Sequence, residues 1–132
     1  MKNYYYAPVN WFKSMKFAIR GLKMIIKNER NFRIQLFMGS MFIIVGLIIR
    51  FEHSEWIATC FFVTLVLISE AFNSVIEAIC DCISLEYRDT IKYAKDVSAG
   101  AVLLSSIAAV FGGLVIMYPH LMPIVKQFLN IN

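Results

Sequence analysis

The sequence predicts an all-α integral membrane protein with three transmembrane helices and an N-terminal amphipathic helix on the membrane surface. Of its 132 residues, 59% are hydrophobic and only 17% are charged, whereas a soluble domain of this size usually has fewer apolar and more charged residues. The apolar residues are concentrated in long runs, which is typical of helices that cross lipid. Because the length allows one domain, residues 1–132 are expected to form a single membrane-embedded unit.

The surface helix is predicted over about residues 10–30, where two kinds of side chain recur at helical spacing. Apolar residues return every three or four positions, and basic residues follow them one position later. This pattern is typical of a helix that lies flat on an anionic membrane surface. The apolar set is Phe12, Met15, Ile19, Leu22 and Ile26, and the basic set is Lys13, Lys16, Arg20, Lys23 and Lys27.

The three spans are predicted over about residues 32–51, 56–84 and 97–117. The first and third are close to the length that a helix needs to cross the hydrocarbon, at about 1.5 Å per residue. The second is apolar to Ser69 and then stays helical in pattern to about Ser84, with acids embedded in it. The first ends in arginines, Arg33 and Arg50, which we expect to reach toward the two interfaces. We expect polar connections over 52–55 and 85–95, and an end to the third span at Pro119 and Pro123.

The orientation follows from the distribution of positive charge. Eight of the 13 lysine and arginine residues precede Ile34, and three more lie between the second and third spans. The positive-inside rule therefore predicts that the N-terminus and the second loop face the cytoplasm. The first loop and the C-terminus are predicted to face outward.

The net charge, the cysteines and the histidines indicate no additional function. The net charge of +4 does not indicate nucleic-acid binding, because the basic residues flank membrane segments and form no basic domain. Cys60, Cys80 and Cys82 match no zinc pattern and are interpreted as reduced packing residues. His53 and His120 are predicted to be ordinary surface residues on the outer side.

A stripe of acidic and amide residues on the second span is the candidate site. Glu70, Asn73, Glu77 and Asp81 are spaced by three, four and four residues, so they fall within roughly 80° of one helix face. Glu70 lies about 21 Å along the helix from Trp56 and is still within the hydrocarbon, whereas Glu77 lies about 31 Å along it, at the interface. Carboxylates at such depths are unfavourable and usually functional.

The depth of each acid in the membrane determines the chemistry that we expect of it. A carboxylate in an apolar environment is a stronger base, so Glu70 is suited to accept a proton from a lipid-borne group. Carboxylates at the interface are suited to hold Mg²⁺, with Glu29 as a further ligand from outside the span. Lys95 is placed to meet a phosphate. Together these features favour magnesium-dependent phosphoryl transfer.

Two other classes of function stay open on the residues alone. A small ion-transport subunit would also carry carboxylates within the membrane, although the third span carries no charge. A structural membrane protein would use the same stripe as a polar packing seam between helices.

Three sequence blocks resemble the prokaryotic diacylglycerol kinase family. They are NERNFR at 28–33, EAFNSVIEAICD at 70–81 and AKDVSAGAV at 94–102. They follow one another in family order and spacing, and the resemblance covers residues from about 10 to 118.

The resemblance implies a homotrimeric lipid kinase of the bacterial inner (cytoplasmic) membrane, with active sites between subunits on the cytoplasmic side. It implies ATP as co-substrate and Mg²⁺ as cofactor. Glu70 would be the catalytic base, and Glu29 and Glu77 would be the metal ligands. Contacts to ATP would come from Phe17, Glu29, Glu77, Glu86, Tyr87, Arg88, Lys95 and Asp96, with Asn73 and Asp81 in support.

The identity of the acceptor lipid depends on departures from the family pattern. Asn10, Phe17 and Gln35 stand where the diacylglycerol-specific branch has arginine, tyrosine and glutamate. The run ERNFRI at 29–34 is instead similar to the branch that phosphorylates undecaprenol. We therefore expect undecaprenol as the acceptor, with diacylglycerol as the alternative.

Self-association is also expected on physical grounds. Polar faces in membranes are covered by protein or by water-filled cavities. We expect three helices of a single chain to leave Glu70 and Asn73 partly exposed to lipid, so that an oligomer is needed to cover them.

Overall fold

The computed structural model describes residues 10–84, 86 and 88–128, and these residues form four α-helices joined by short connections. The helices are α1 (Trp11–Asn28), α2 (Arg30–Ile49), α3 (His53–Ile83) and α4 (Asp89–Phe128). Helix α3 packs most extensively along α4 and less extensively along α2, while α1 makes little contact with α2 and buries none of its residues. The described part of the chain contains no strand.

Helices α1 and α2 are separated by a single extended residue, Glu29 (φ −94°, ψ 114°). The guanidinium group of Arg33 reaches back across this break and donates to the carbonyl oxygens of Ile26 and Lys27, at 3.2 and 2.9 Å. Because the last carbonyls of a helix lack partners within the helix, a cation there stabilises the helix end. Arg33 therefore fixes the corner between α1 and α2, a role that its predicted position at the interface did not indicate.

The corner between α2 and α3 is built around Phe51. Arg50 adopts a left-handed conformation (φ 61°), and the N–H of Phe51 donates to the carbonyl of Gly46 at 2.9 Å. The buried ring of Phe51 lies directly on Gly46 and contacts the rings of Phe42 and Trp56. A capping box between Glu52 and Glu55 then starts α3, so three of the four residues predicted as loop are already helical.

Replacing Gly46 with alanine is expected to lower the stability of this corner. A Cβ atom at Gly46 would come within 2.5 Å of the ring of Phe51, and overpacking of this kind typically costs about 1–3 kcal/mol. Thermal unfolding of the purified protein in detergent micelles measures the effect. Gly21→Ala is the matched control, because a Cβ atom there would meet nothing within 4 Å. An equal melting temperature for the two variants would contradict the packing described for Phe51.

Helix α4 is longer than the predicted third span at both ends. It begins at Asp89, within the predicted polar connection, where an acidic residue in the first turn complements the helix dipole. It also continues through Pro119 and Pro123, which were expected to end it. Proline removes one backbone hydrogen bond, but helices of membrane proteins tolerate it because neighbouring groups replace the lost partner.

The surface of α2, α3 and α4 identifies a multi-pass membrane protein. All three helices are long and apolar enough to cross a membrane. Large apolar side chains are exposed along their whole length, among them Phe37, Ile48, Phe72, Leu104 and Phe111. Apolar surface on this scale is unfavourable in water and favourable in lipid.

His120 departs from its prediction as a surface residue, because it ties α4 to the α2–α3 corner. Its Nε2 atom lies 2.9 Å from a carboxylate oxygen of Glu55, and its ring packs on Phe51. All three cysteines are free, as expected; Cys80 is buried, and Cys60 and Cys82 are exposed on the surface of the single chain.

Candidate functional site

The acidic stripe of α3 faces inward, and Glu70 is its most deeply buried carboxylate. Only 3% of Glu70 is exposed. The side-chain amide of Gln35, on α2, donates to its Oε2 atom at 3.1 Å. The hydroxyl of Ser74, one turn further along α3, donates to its backbone carbonyl at 3.0 Å. The site therefore holds a carboxylate that one amide from a second helix orients.

Asn73 connects the next acid of the stripe to α4. Its amide group donates to Oε1 of Glu77 at 3.0 Å. Its carbonyl oxygen accepts from the hydroxyl of Ser98, which is buried and lies 2.7 Å away. A buried amide with both ends bonded has one fixed orientation. Asn73 therefore holds the Glu77 carboxylate in place relative to α4.

Asp81 and Lys95 form an ion pair between α3 and α4 at the end of the stripe. Both side chains are partly exposed, and ion pairs in such places contribute at most about 1 kcal/mol to stability. The pair therefore matters mainly for position, since it holds the ammonium group of Lys95 near the acids.

Glu29 joins the site from the break between α1 and α2. It is half-buried, and both it and Glu77 lie within electrostatic range of Glu70. Three carboxylates from two segments of the chain, the α1–α2 break and α3, thus lie near one another. Bringing like charges together is unfavourable unless a cation or a proton compensates them.

The structure corrects the expectation that one chain would leave Glu70 and Asn73 exposed. A single subunit already buries both, with 7% of Asn73 exposed, because α2 and α4 flank the polar face of α3. The burial of these residues therefore gives no argument for an oligomer.

The remaining predicted contacts lie outside the polar network. Phe17, Glu86, Arg88 and Asp96 are exposed, and among the described residues none of them is hydrogen-bonded to the stripe. Tyr87 lies outside the described residues.

Two residues of the network were not predicted as site residues. Gln35 was noted only as a departure from a family pattern, and Ser98 only as part of a sequence block. A signal existed for Ser98, because it lies three residues after Lys95 and therefore on the same face of α4. No local signal marks Gln35, since its contact depends on how α2 packs on α3.

The donor set fits a magnesium ion that is shared with a nucleotide better than a metal held by protein alone. Within the described residues, no group of three or more His, Cys, Asp or Glu side chains is arranged to hold a metal. Mg²⁺ in nucleotide sites is commonly bound by one or two carboxylates together with substrate phosphates. Glu29 and Glu77 are oxygen donors of the required kind.

The fold and the site define a class of protein: a helical multi-pass membrane protein with a carboxylate and amide network between its spans. The model of the family described as "Prokaryotic diacylglycerol kinase" matches residues 16–117. The chain belongs to this family.

Curated relatives agree with the assignment and differ in the lipid that they name. A "Diacylglycerol kinase" of Synechocystis sp. is 33% identical over 122 residues, which cover 92% of this chain and 70% of the relative. An "Undecaprenol kinase" of Bacillus subtilis is 30% identical over 111 residues, covering 84% and 90%. A "Diacylglycerol kinase" of Escherichia coli K12 is 29% identical over 108 residues, covering 82% and 88%. The chain is therefore a membrane lipid kinase by class.

Proposed function

We propose that the protein transfers the γ-phosphate of ATP to the hydroxyl group of a membrane lipid, most simply undecaprenol. The observation that carries this proposal is the buried carboxylate of Glu70, oriented by Gln35 and flanked by Glu29 and Glu77. A general base of this kind lies next to acids that suit a metal-bound nucleotide.

In the proposed reaction, the Glu70 carboxylate accepts the proton of the lipid hydroxyl. The lipid oxygen forms a bond to the γ-phosphorus, and the bond between that phosphorus and the β–γ bridging oxygen breaks. ADP leaves with the bridging oxygen. Such a transfer needs positioning and charge neutralisation more than covalent help from the protein.

The remaining residues bind and orient the nucleotide. Glu29 and Glu77 would hold Mg²⁺, which neutralises phosphate charge when bound. Lys95, positioned by Asp81, would supply a positive charge to a phosphate. The other proposed contacts to ATP are Phe17, Glu86, Tyr87, Arg88 and Asp96.

The proposed setting is the inner membrane, with the N-terminus and the site on the cytoplasmic side, where ATP is present. Helix α1 would lie on the membrane surface through its apolar stripe. A homotrimer is proposed from the family resemblance. Exposed candidate residues such as Asp96 would then act on a site shared between subunits.

Undecaprenol is preferred to diacylglycerol for two reasons. The run at 29–34 is similar to the branch that phosphorylates undecaprenol, and Gln35, which contacts Glu70, stands where the diacylglycerol-specific branch has glutamate. A competition assay tests the choice. The purified protein in mixed micelles is given both alcohols at equal mole fraction, and the phosphorylated products are separated. We expect undecaprenyl phosphate to dominate; a predominance of phosphatidic acid would assign the alternative substrate.

Replacing Ser98 with alanine is expected to lower lipid phosphorylation moderately. The substitution removes the hydrogen bond to the buried carbonyl oxygen of Asn73, and an unpartnered buried acceptor costs about 1–3 kcal/mol. With Asn73 free to turn, Glu77 loses its fixed position, so we expect a fall in kcat of about tenfold.

Ser98→Thr keeps the hydroxyl group and is the matched variant for this test. Recovery of most of the activity by threonine is expected. Full activity of Ser98→Ala would show that the link from Asn73 to α4 does not position the site.

A further inference from the structure

Glu29 is the single residue between α1 and α2, and its backbone takes part in both helices. Its N–H donates to the carbonyl of Ile25 at 2.8 Å, at the end of α1. Its own carbonyl accepts from the N–H of Arg33 at 3.4 Å, at the start of α2. Because both backbone groups are engaged in this way, the position of the Glu29 side chain depends on how the two helices meet.

The carboxylate of Glu29 is not used to cap the helix that follows it. Asparagine, aspartate, serine and threonine are favoured before a helix, because their short side chains accept from its first N–H groups. Glu29 makes no such bond, and within the described part of the chain its carboxylate has no hydrogen bond or ion pair. It is half-buried and lies within electrostatic range of Glu70. Its charge is therefore available to the site.

Packing does little to hold α1 in place, because this helix buries none of its residues. The side-chain hydrogen bonds that join α1 to the other described residues both come from Arg33. Its Nη1 atom donates to the carbonyl oxygens of Ile26 and Lys27, in the last turn of α1, where carbonyls lack partners within the helix. The angle between α1 and α2 therefore depends on the guanidinium group of Arg33.

We infer that Arg33 is a positioning residue for the metal and nucleotide site. By holding the end of α1 against the first turn of α2, it sets the backbone angles at Glu29 and so the place of the Glu29 carboxylate relative to Glu70 and Glu77. The inference rests on the part of the proposed function that assigns Glu29 to Mg²⁺. Arg33 itself contacts neither the metal nor the nucleotide.

Direct contact between Arg33 and a phosphate group is the competing interpretation, since a guanidinium group suits phosphate. Both hydrogens of its Nη1 atom are already engaged by the carbonyls of Ile26 and Lys27. A phosphate would have to compete with these bonds for the orientation of the group. The bonds to α1 thus favour a positioning role, and the two interpretations predict different results when Glu29 is also replaced.

A double-mutant cycle with Glu29 tests the inference. The full-length protein in mixed micelles is prepared as wild type, Arg33→Ala, Glu29→Gln and the double variant. Electron paramagnetic resonance follows the binding of Mn²⁺ in the presence of β,γ-methylene-ATP. The Mg²⁺ dependence of lipid phosphorylation and the melting temperature are measured in parallel. Arg30→Ala is the matched control, because Arg30 is an exposed arginine at the same corner with no side-chain hydrogen bond to any described residue.

We expect Arg33→Ala to weaken Mn²⁺ binding, and to raise the Mg²⁺ concentration needed for half-maximal activity, by about tenfold, as is usual when a group that orients a metal ligand is lost. In the Glu29→Gln background the same substitution should change both quantities by less than about twofold, because the charged ligand that Arg33 positions is absent. Glutamine keeps an oxygen, so binding through Glu77 and the phosphates stays measurable.

Two further variants complete the test. Arg33→Lys keeps the charge and a donor, so its Mn²⁺ binding should fall between those of the wild type and Arg33→Ala; it serves if the alanine variant does not fold. Arg30→Ala should bind Mn²⁺ as the wild type does.

Two results would overturn the inference. Unchanged Mn²⁺ binding and Mg²⁺ dependence in Arg33→Ala, even with a lower melting temperature, would show that Arg33 only stabilises the corner. An equal loss with and without the Glu29 carboxylate would assign Arg33 to direct contact with the nucleotide. A wild-type protein that binds Mn²⁺ with the nucleotide but phosphorylates no lipid would instead remove the proposed function, while coupling between Arg33 and Glu29 in Mn²⁺ binding would still support the inference.

Discussion

Lipid phosphorylation is expected to fall by about 10²–10⁴-fold when Glu70 is replaced by glutamine, the range usual for loss of a general base. Glutamine keeps the shape of the side chain and an oxygen that can accept the hydrogen bond from Gln35. The variant should therefore fold and insert as the wild-type protein does, while losing the group that accepts the proton of the lipid hydroxyl.

Rates measured with labelled ATP and saturating lipid give the size of this effect. Nucleotide binding by the variant should be nearly unchanged, because Glu70 is not among the groups proposed to touch ATP. Glu52→Gln, which alters an acid at the opposite end of α3, is the control and should remain active. Near-normal turnover by Glu70→Gln would assign the proton transfer to another group.

The second large effect is expected for Glu77→Gln, through the metal requirement. The substitution removes the negative charge but keeps an oxygen that can accept from the amide of Asn73. Loss of a charged ligand should raise the Mg²⁺ concentration needed for half-maximal activity by about 10- to 100-fold, with a lower rate at saturation.

Magnesium titrations of the two variants separate their roles. Glu70→Gln should lose rate with an almost unchanged Mg²⁺ requirement, whereas Glu77→Gln should shift the requirement itself. If Glu77→Gln disturbs assembly and leaves the magnesium curve unchanged, the stripe at this position is a packing seam and not a metal site.

The stripe on α3 was predictable because helical spacing alone determines which residues share a face. Glu70, Asn73, Glu77 and Asp81 lie on one helix, so their relation to one another needs no knowledge of packing. Helix α1 was predictable from the same helical spacing. The three apolar segments were predictable because length and composition decide whether a helix can cross lipid.

The partners of the stripe were harder to predict because they depend on contacts between helices. Gln35 meets Glu70 across 35 residues of sequence, and only the packing of α2 on α3 brings them together. This dependence on helix packing also explains why the expectation that one chain would leave Glu70 exposed was wrong. That expectation treated the helices as separate rods, whereas α2 and α4 close over one face of α3.

The end of α4 was mispredicted because the sequence signal for a helix end, proline, does not end this helix. Proline is a reliable helix breaker in water, but Pro119 and Pro123 lie inside α4. His120 shows the same effect: its sequence position suggests an exposed residue, yet the helix continues far enough to bring it against Glu55 and Phe51.

Glu70 is proposed to accept the proton of the lipid hydroxyl as the γ-phosphate of ATP is transferred to it. To test this role, the reconstituted wild-type protein and Glu70→Gln are incubated with undecaprenol and with ATP labelled at either the γ- or the α-phosphorus. We expect that only label from the γ position enters the lipid, and that the variant transfers it about 100-fold or more slowly than the wild-type protein. Absence of labelled lipid with the wild-type protein, or equal labelling by both proteins, would contradict this role.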